Sequence, residues 1–148
     1  MIVLLDAGPL GMVTNPKSSP EDQSCKNWLA KSGSSGVEIM IPEIADYEVR
    51  RELLPAGKDR GLARLDALKA MLGYAPITTP VMLKAAEFWA TARRMGQQSA
   101  DDASLDADMI LAAQAAALNR GGDDTVIATT NVRHLALFAS ARVWRDIG

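Results

Sequence analysis

Ile2-Val3-Leu4-Leu5-Asp6-Ala7-Gly8-Pro9 is the stretch that decides how this chain reads. Four consecutive apolar residues bounded by a turn signal specify a strand buried on both faces, as in parallel sheets. A carboxylate follows at once. Parallel α/β sheets bind ligands at the carboxyl ends of their strands, so Asp6 stands where chemistry is expected. Alone, Asp6 before Gly8-Pro9 would also suit an ordinary turn. Its companions decide between the two readings.

Working outward, residues 37–41, 75–78, 125–128 and 142–144 read as further strands. Helical patterns fall at 21–31, 42–54, 59–72, 80–95 and 106–119, with a short last helix at 131–139. Pro42 and Pro80 suit first helical positions, where the missing N–H costs nothing. Gly121-Gly122 suits a helix stop. Breakers lie at 18–20, 32–36, 55–57, 97–104 and 120–124, none of interdomain length. Strands alternating with helices imply a parallel α/β sheet.

The 148 residues match one domain, 1–148, able to bury about 68–70% of its unfolded surface. The lone cysteine, Cys25, cannot form an internal disulfide, which fits a reducing compartment. No signal peptide is legible, and no apolar run approaches the roughly 20 residues of a membrane span. The expectation is a soluble cytoplasmic protein with no membrane partner. Sixteen Lys and Arg against 18 Asp and Glu give a net charge of −2, which offers no support for a general polyanion binder.

Acidic groups recur near strand ends and helix starts. In the helix after the second strand, Ile44 and Glu48 share a face. Asp46 has Arg50 at the favourable helical spacing and reads as an exposed pair; Glu43, Asp46 and Glu52 read as a solvated face. Glu48 lies nearer the apolar side with less compensation. Asp106 and Asp108 open an otherwise apolar helix, where each also suits a helix start. Thr129-Thr130-Asn131 follows the fourth strand. Two carboxylates about 4 Å apart repel by roughly 4 kcal/mol at an effective dielectric near 20. A hard divalent cation removes that conflict. Oxygen ligands without His or Cys suit Mg²⁺ or Mn²⁺ rather than zinc. The single histidine, His134, reads as a helix-end residue, since metal-activated water needs no imidazole.

These residues resemble a known family. Ile2 to Leu10 resembles the opening strand of the PIN-domain ribonucleases, and Glu48-Val49-Arg50 their second acidic element. Asp108-Met109-Ile110-Leu111-Ala112-Ala113-Gln114-Ala115 resembles the third, and Thr129-Thr130-Asn131-Val132-Arg133-His134-Leu135 the fourth. Four motifs in order span residues 2 to about 138, and the resemblance is closest to toxins of VapC type. It implies a three-layer PIN-like α/β fold: a five-stranded parallel sheet in the order 3-2-1-4-5 with helices on both faces. It also implies a Mg²⁺- or Mn²⁺-dependent endoribonuclease, a homodimer, and a small antitoxin protein as inhibitor. Carried over by position, Asp6, Glu48 and Asp108 are the catalytic and metal-holding acids, with Asp106 a further candidate and Thr129 lending a hydroxyl. Asn131 is an amide where many members carry a fourth acid. That departure keeps open a PIN-like scaffold that binds RNA or a protein without cutting it.

Arg50, Arg51, Lys58, Arg60, Arg64 and Lys69 form the densest basic region. A charge run is usually a solvated face. Beside Glu48, however, Arg50, Arg51 and Arg60 are candidates to contact RNA phosphates or an acidic partner. Two other α/β readings fit worse. A haloacid-dehalogenase-like phosphatase needs a second Asp where Gly8 stands. A phosphoacceptor receiver needs an acidic pair after strand one and a late lysine.

Overall fold

The computed structural model describes residues 1–96, 102–119 and 124–148. In chain order the elements are β1 (Ile2–Leu5), α1 (Ala7–Thr14), α2 (Pro20–Ser34), β2 (Glu38–Pro42), α3 (Glu43–Leu53), α4 (Asp59–Met71), β3 (Gly73–Ala75), α5 (Thr79–Arg94), α6 (Asp102–Leu118), β4 (Thr125–Thr129) and β5 (Ala141–Val143). Short 3-10 turns at Arg133–Leu137 and Trp144–Asp146 flank β5.

The five strands pair in parallel in the order β3-β2-β1-β4-β5, as the resemblance implies. β1 is central, with Val3 beside Ile39 of β2 and Val126 of β4. Side chains alternate across the sheet. Val3, Leu5, Ile41, Val126 and Ala128 pack toward Leu10, Val13, Cys25, Val49 and Leu65 of the first four helices. Leu4 and Ile127 pack on the other side against Leu111, Ala112 and Ala115 of α6. Coverage of both faces is why β1 and β4 read as unbroken apolar runs. α5 forms an outer layer on α6 through Val81, Ala85 and Ala113.

Several boundaries differ from those read in the sequence, each for a local reason. α1 was not expected. Pro9 falls in its first turn, where a missing N–H is harmless, so Gly8-Pro9 starts a helix instead of breaking the chain. Pro42 ends β2 and caps α3 rather than opening the helix. The third strand is Gly73–Ala75, not 75–78. At Gly73 an added Cβ would lie 3.0 Å from Met40 Cγ, so the missing side chain lets β3 lie against β2. Residues 76–78 are committed elsewhere: Ile77 N–H binds Glu43, and the Thr78 hydroxyl caps α5. β5 ends at Val143, and Trp144 begins a 3-10 turn. The last helix contracts to the 3-10 turn Arg133–Leu137. α6 begins at Asp102, so Asp106 and Asp108 lie inside the helix and open nothing. The Gly121-Gly122 stop and residues 97–101 of the preceding breaker lie outside the described residues. No helix among the described residues is long and apolar enough to cross a membrane.

Gln114 ties the layers together from within α6. It is fully buried, and its amide donates to the Ala75 carbonyl at 2.7 Å while its oxygen accepts a longer bond from Ile44 N–H at 3.5 Å. Gln114→Leu keeps the volume and strips the donor from a buried carbonyl. It should lower unfolding stability by about 1–3 kcal/mol in a urea titration. An unchanged midpoint would show that the tie carries no weight.

Candidate functional site

Asp6 leaves the sheet at the end of its central strand and becomes the N-cap of α1. Its Oδ1 accepts the Ala7 N–H at 2.7 Å, and its Oδ2 accepts the Thr129 hydroxyl at 2.7 Å. Thr129 is fully buried at the end of β4, the neighbour of β1, so sheet register alone brings the two together. The loop after β4 presses on the start of α1. A Cβ on Gly8 would stand 2.8 Å from both the methyl and the hydroxyl of Thr130, so only glycine fits there without displacement. Burial pushes the Asp6 carboxyl above its ordinary pKa, opposed by the bonds from Thr129 and Ala7.

Glu48 is aimed by what grips the rest of α3. Asp46 is buried rather than solvated. Its carboxylate takes Arg50 Nη2 at 2.9 Å, Lys69 Nζ at 3.0 Å and the Tyr74 hydroxyl at 3.3 Å. Glu43, also expected in solvent, is half-buried and accepts the Ile77 N–H at 2.7 Å. Both residues were misread because their cations and donors come from α4, β3 and the strand exit, which helical spacing cannot reveal. With these groups engaged on one side and Ile44 packed under the sheet, Glu48 turns toward Asp6. Burial raises its pKa, the nearby Asp6 charge raises it further, and Arg51, at 3.9 Å, opposes both. Glu52 is exposed, as expected.

Asp108 reaches the same place from α6. Burial, then the charges of Asp6 and Glu48, push its carboxyl up to about 7, against the pull of Arg133. Asp6, Glu48 and Asp108 together line one cavity of about 160 Å³, with Ser104, Thr129, Asn131 and Arg133 at its walls. Asp106 does not join them. Two residues along a helix is a turn of about 200°, and Asp106 lines a separate groove with Met82, Ala86 and Trp89. The side-chain oxygen of Asn131 accepts the Arg133 N–H at 3.2 Å, while its own N–H binds the Thr129 hydroxyl at 3.1 Å. It therefore shapes the loop that carries Thr129.

Ser104 and Arg133 were missed as wall residues. Ser104 lies four residues before Asp108, a signal hidden by starting the helix too late. Arg133 adopts a φ of 28°, a backbone region rarely used by residues other than glycine, and the bond to Asn131 holds it there. Of the basic candidates, Arg50 is turned into Asp46 and Asp66, Arg51 lies beside Glu48, and Arg60 lines a different cavity with Lys17 and Lys58.

The donor set suits a hard cation. Three carboxylates and a hydroxyl face one space, with no thiol or imidazole among the walls. Among the described residues no group of three or more His, Cys, Asp or Glu side chains is already placed to hold a metal ion. The acids share a cavity and feel one another's charge without converging on one point. That is the arrangement electrostatic repulsion favours for carboxylates with Arg51 and Arg133 as partial compensation.

The fold is shared with solved toxin–antitoxin structures. The chain matches VapBC2 from Rickettsia felis bound to a DNA fragment from their promoter, with a TM-score of 0.74 and 16% identity, over 96% of this chain and 98% of that one. It matches VapBC-1 from nontypeable Haemophilus influenzae at 0.69 and 15%, covering 99% and 100%. A third match is DNA-bound VapBC from Salmonella typhimurium, at 0.66 and 16%, covering 97% and 98%. No family model and no curated protein matches the sequence. At these identities the likeness is one of fold, and it is the PIN-like fold that the four motifs imply.

The raised Asp108 pKa fixes the sign of a stability effect. A carboxyl titrating near 7 when folded and near 3.8 when unfolded stabilises the fold fully below the lower value. That contribution is lost as pH rises through the higher one. In chelator, the melting temperature of the protein should fall from pH 5 to pH 8 relative to Asp108→Asn, whose profile is flatter. Parallel profiles would contradict the coupling of the three acids.

Proposed function

We propose that the chain is a PIN-domain toxin of VapC type, a Mg²⁺- or Mn²⁺-dependent endoribonuclease inhibited by a small antitoxin. The observation that carries this is the meeting of Asp6, Glu48 and Asp108, remote in sequence, in one cavity at the carboxyl edge of the sheet. Those three acids would hold the cation. When bound, such an ion lowers the pKa of water and offsets the charge that develops on a phosphodiester.

The chain's own groups do the rest. Thr129 and the Ala7 N–H fix both oxygens of Asp6, so this acid is set in place before any substrate arrives. Glu48 and Asp108, presented from α3 and α6, would complete the set of oxygens that holds the ion. Arg133, the one cation among the described residues of the cavity walls, would pair with a phosphate oxygen. In the overall reaction water adds to phosphorus, one P–O ester bond breaks, and the leaving oxygen departs as an alcohol. The solved neighbours are VapBC complexes. By that likeness this chain pairs with an antitoxin partner; its work as a homodimer in the cytoplasm belongs to the same proposal and rests on the sequence resemblance alone.

The scaffold reading draws on two observations: the amide at Asn131, and the absence of a group already placed to hold a metal ion among the described residues. Incubation of RNA with Mg²⁺, Mn²⁺ or EDTA separates the two. The nuclease reading expects cleavage that EDTA stops. Thr129→Val should lose about 10–100-fold of that rate, the usual cost of removing an outer-sphere partner, and Asp6→Asn should lose more. Intact RNA under every metal would favour the scaffold, and undiminished cutting by Asp6→Asn would overturn the site.

A further inference from the structure

A second cavity, of about 430 Å³, lies at the far end of α1. Its walls include Asn15, Lys17, Lys58, Asp59, Arg60 and Gly61. Three cations face one anion there. Among the described residues none of Lys17, Lys58 and Arg60 enters an ion pair, whereas Arg50, Arg51, Lys69, Lys84 and Arg145 all do. α4 starts at this cavity without a side-chain cap, so the positive end of its dipole adds to the same field. Lys17 is held in place: its N–H donates to Asn15 Oδ1 at 3.1 Å, and the Asn15 amide is anchored on Asp22 at 3.1 Å.

Between this cavity and the acidic one lies a surface trough: it shares Glu48 with the acidic cavity, and its Leu53 stands against Gly61 of the basic one. It is lined by Ala7, Gly11, Glu48, Arg51, Glu52 and Leu53. Ala7, Gly11 and Asn15 recur every four residues, so one face of α1 runs from Asp6 to the basic end. The side opposite, from α3, carries Arg51 as well as Glu52. The eight residues of α1 span about 12 Å, or about three nucleotides of a stacked strand at roughly 3.4 Å each. A free phosphate or small anion would need only the cavity. The trough leading to the acids favours a chain of phosphates.

We propose that Lys17, Lys58 and Arg60 form a phosphate-binding subsite for single-stranded RNA, gripping the backbone about three nucleotides from the bond held at the acidic cavity. This rests on the nuclease reading and adds to it where the strand lies. The subsite contacts phosphate and not bases, so it sets affinity and register without sequence preference.

The test is the salt dependence of binding. A short labelled single-stranded RNA of mixed sequence is titrated in EDTA at salt from about 50 to 200 mM, against the protein and the triple variant Lys17→Ala, Lys58→Ala, Arg60→Ala. Each lost single-strand phosphate contact removes about 0.7 from the slope of log K against log salt, so the triple variant should lose about 2. A charge-preserving variant (Lys17→Arg, Lys58→Arg, Arg60→Lys) should keep the wild-type slope, which separates lost charge from lost folding. A Glu-rich peptide is the control: if it binds and responds to the substitutions while the RNA slope does not, the cavity serves an acidic protein and the proposal falls. Cleavage is followed in parallel samples with Mn²⁺ in place of EDTA. If the wild type cuts RNA and the slope is unaltered in the triple variant, the subsite alone is overturned. A wild type that binds with the expected slope change but never cuts leaves the subsite standing and overturns the nuclease reading.

Discussion

Asp6 is held at both oxygens, by a backbone N–H and by the Thr129 hydroxyl, and the remainder of the site is built around that fixed point. The bond needs β1 beside β4, which needs a parallel sheet with its crossovers complete. It also needs Gly8, because any Cβ there would push back Thr130, the residue that follows Thr129 at the end of β4. Bringing Glu48 and Asp108 to the same cavity then works against both desolvation and repulsion. All three acids are displaced toward the protonated form, Asp108 to about 7. Such displacement is common where a fold keeps charge for chemistry rather than for stability.

What compensates lies behind the site. The Asp46 carboxylate, with Arg50, Lys69 and Tyr74, locks α3 to α4 and β3. Glu43 clamps the exit of β3 through Ile77, and Gln114 ties α6 to Ala75. Leaving one of these buried donors or acceptors without its partner costs about 1–3 kcal/mol, so these groups resist rotation of the helices that carry Glu48 and Asp108. The front of α3 can then keep an under-compensated acid because its back is fully paired. Charge is also sorted along the surface, with acids gathered at the sheet edge and unpaired lysines and an arginine at the other end of α1.

The sheet was legible because buried parallel strands leave long apolar runs, and 2–5 and 125–128 read almost to the residue. Asp6, Glu48 and Asp108 could be named because each sits beside such a run or on an apolar helix face. Local rules failed where partners are distant in sequence. Gly8-Pro9 read as a turn signal and Gly73 was left outside the third strand, since the contacts with Met40 and Thr130 that require glycine are tertiary. Asp46 read as exposed for the same reason: Lys69 and Tyr74 come from other elements. Asp106 and Asp108 could not be told apart as helix starters until α6 was seen to begin at Asp102. Arg133 gave no signal at all, because its place in the cavity depends on an unusual φ set by the Asn131 turn.

Three carboxylates facing one small space suit a hard cation, and locating the ion among them tests the account at its centre. The most direct test is a crystal soaked in Mn²⁺ and measured at the manganese absorption edge. An anomalous peak within bonding distance of the Asp6, Glu48 and Asp108 carboxylates is the predicted result. A fully soaked crystal with no peak between them, or with the only peak beside Asp106 in the α5–α6 groove, would contradict it.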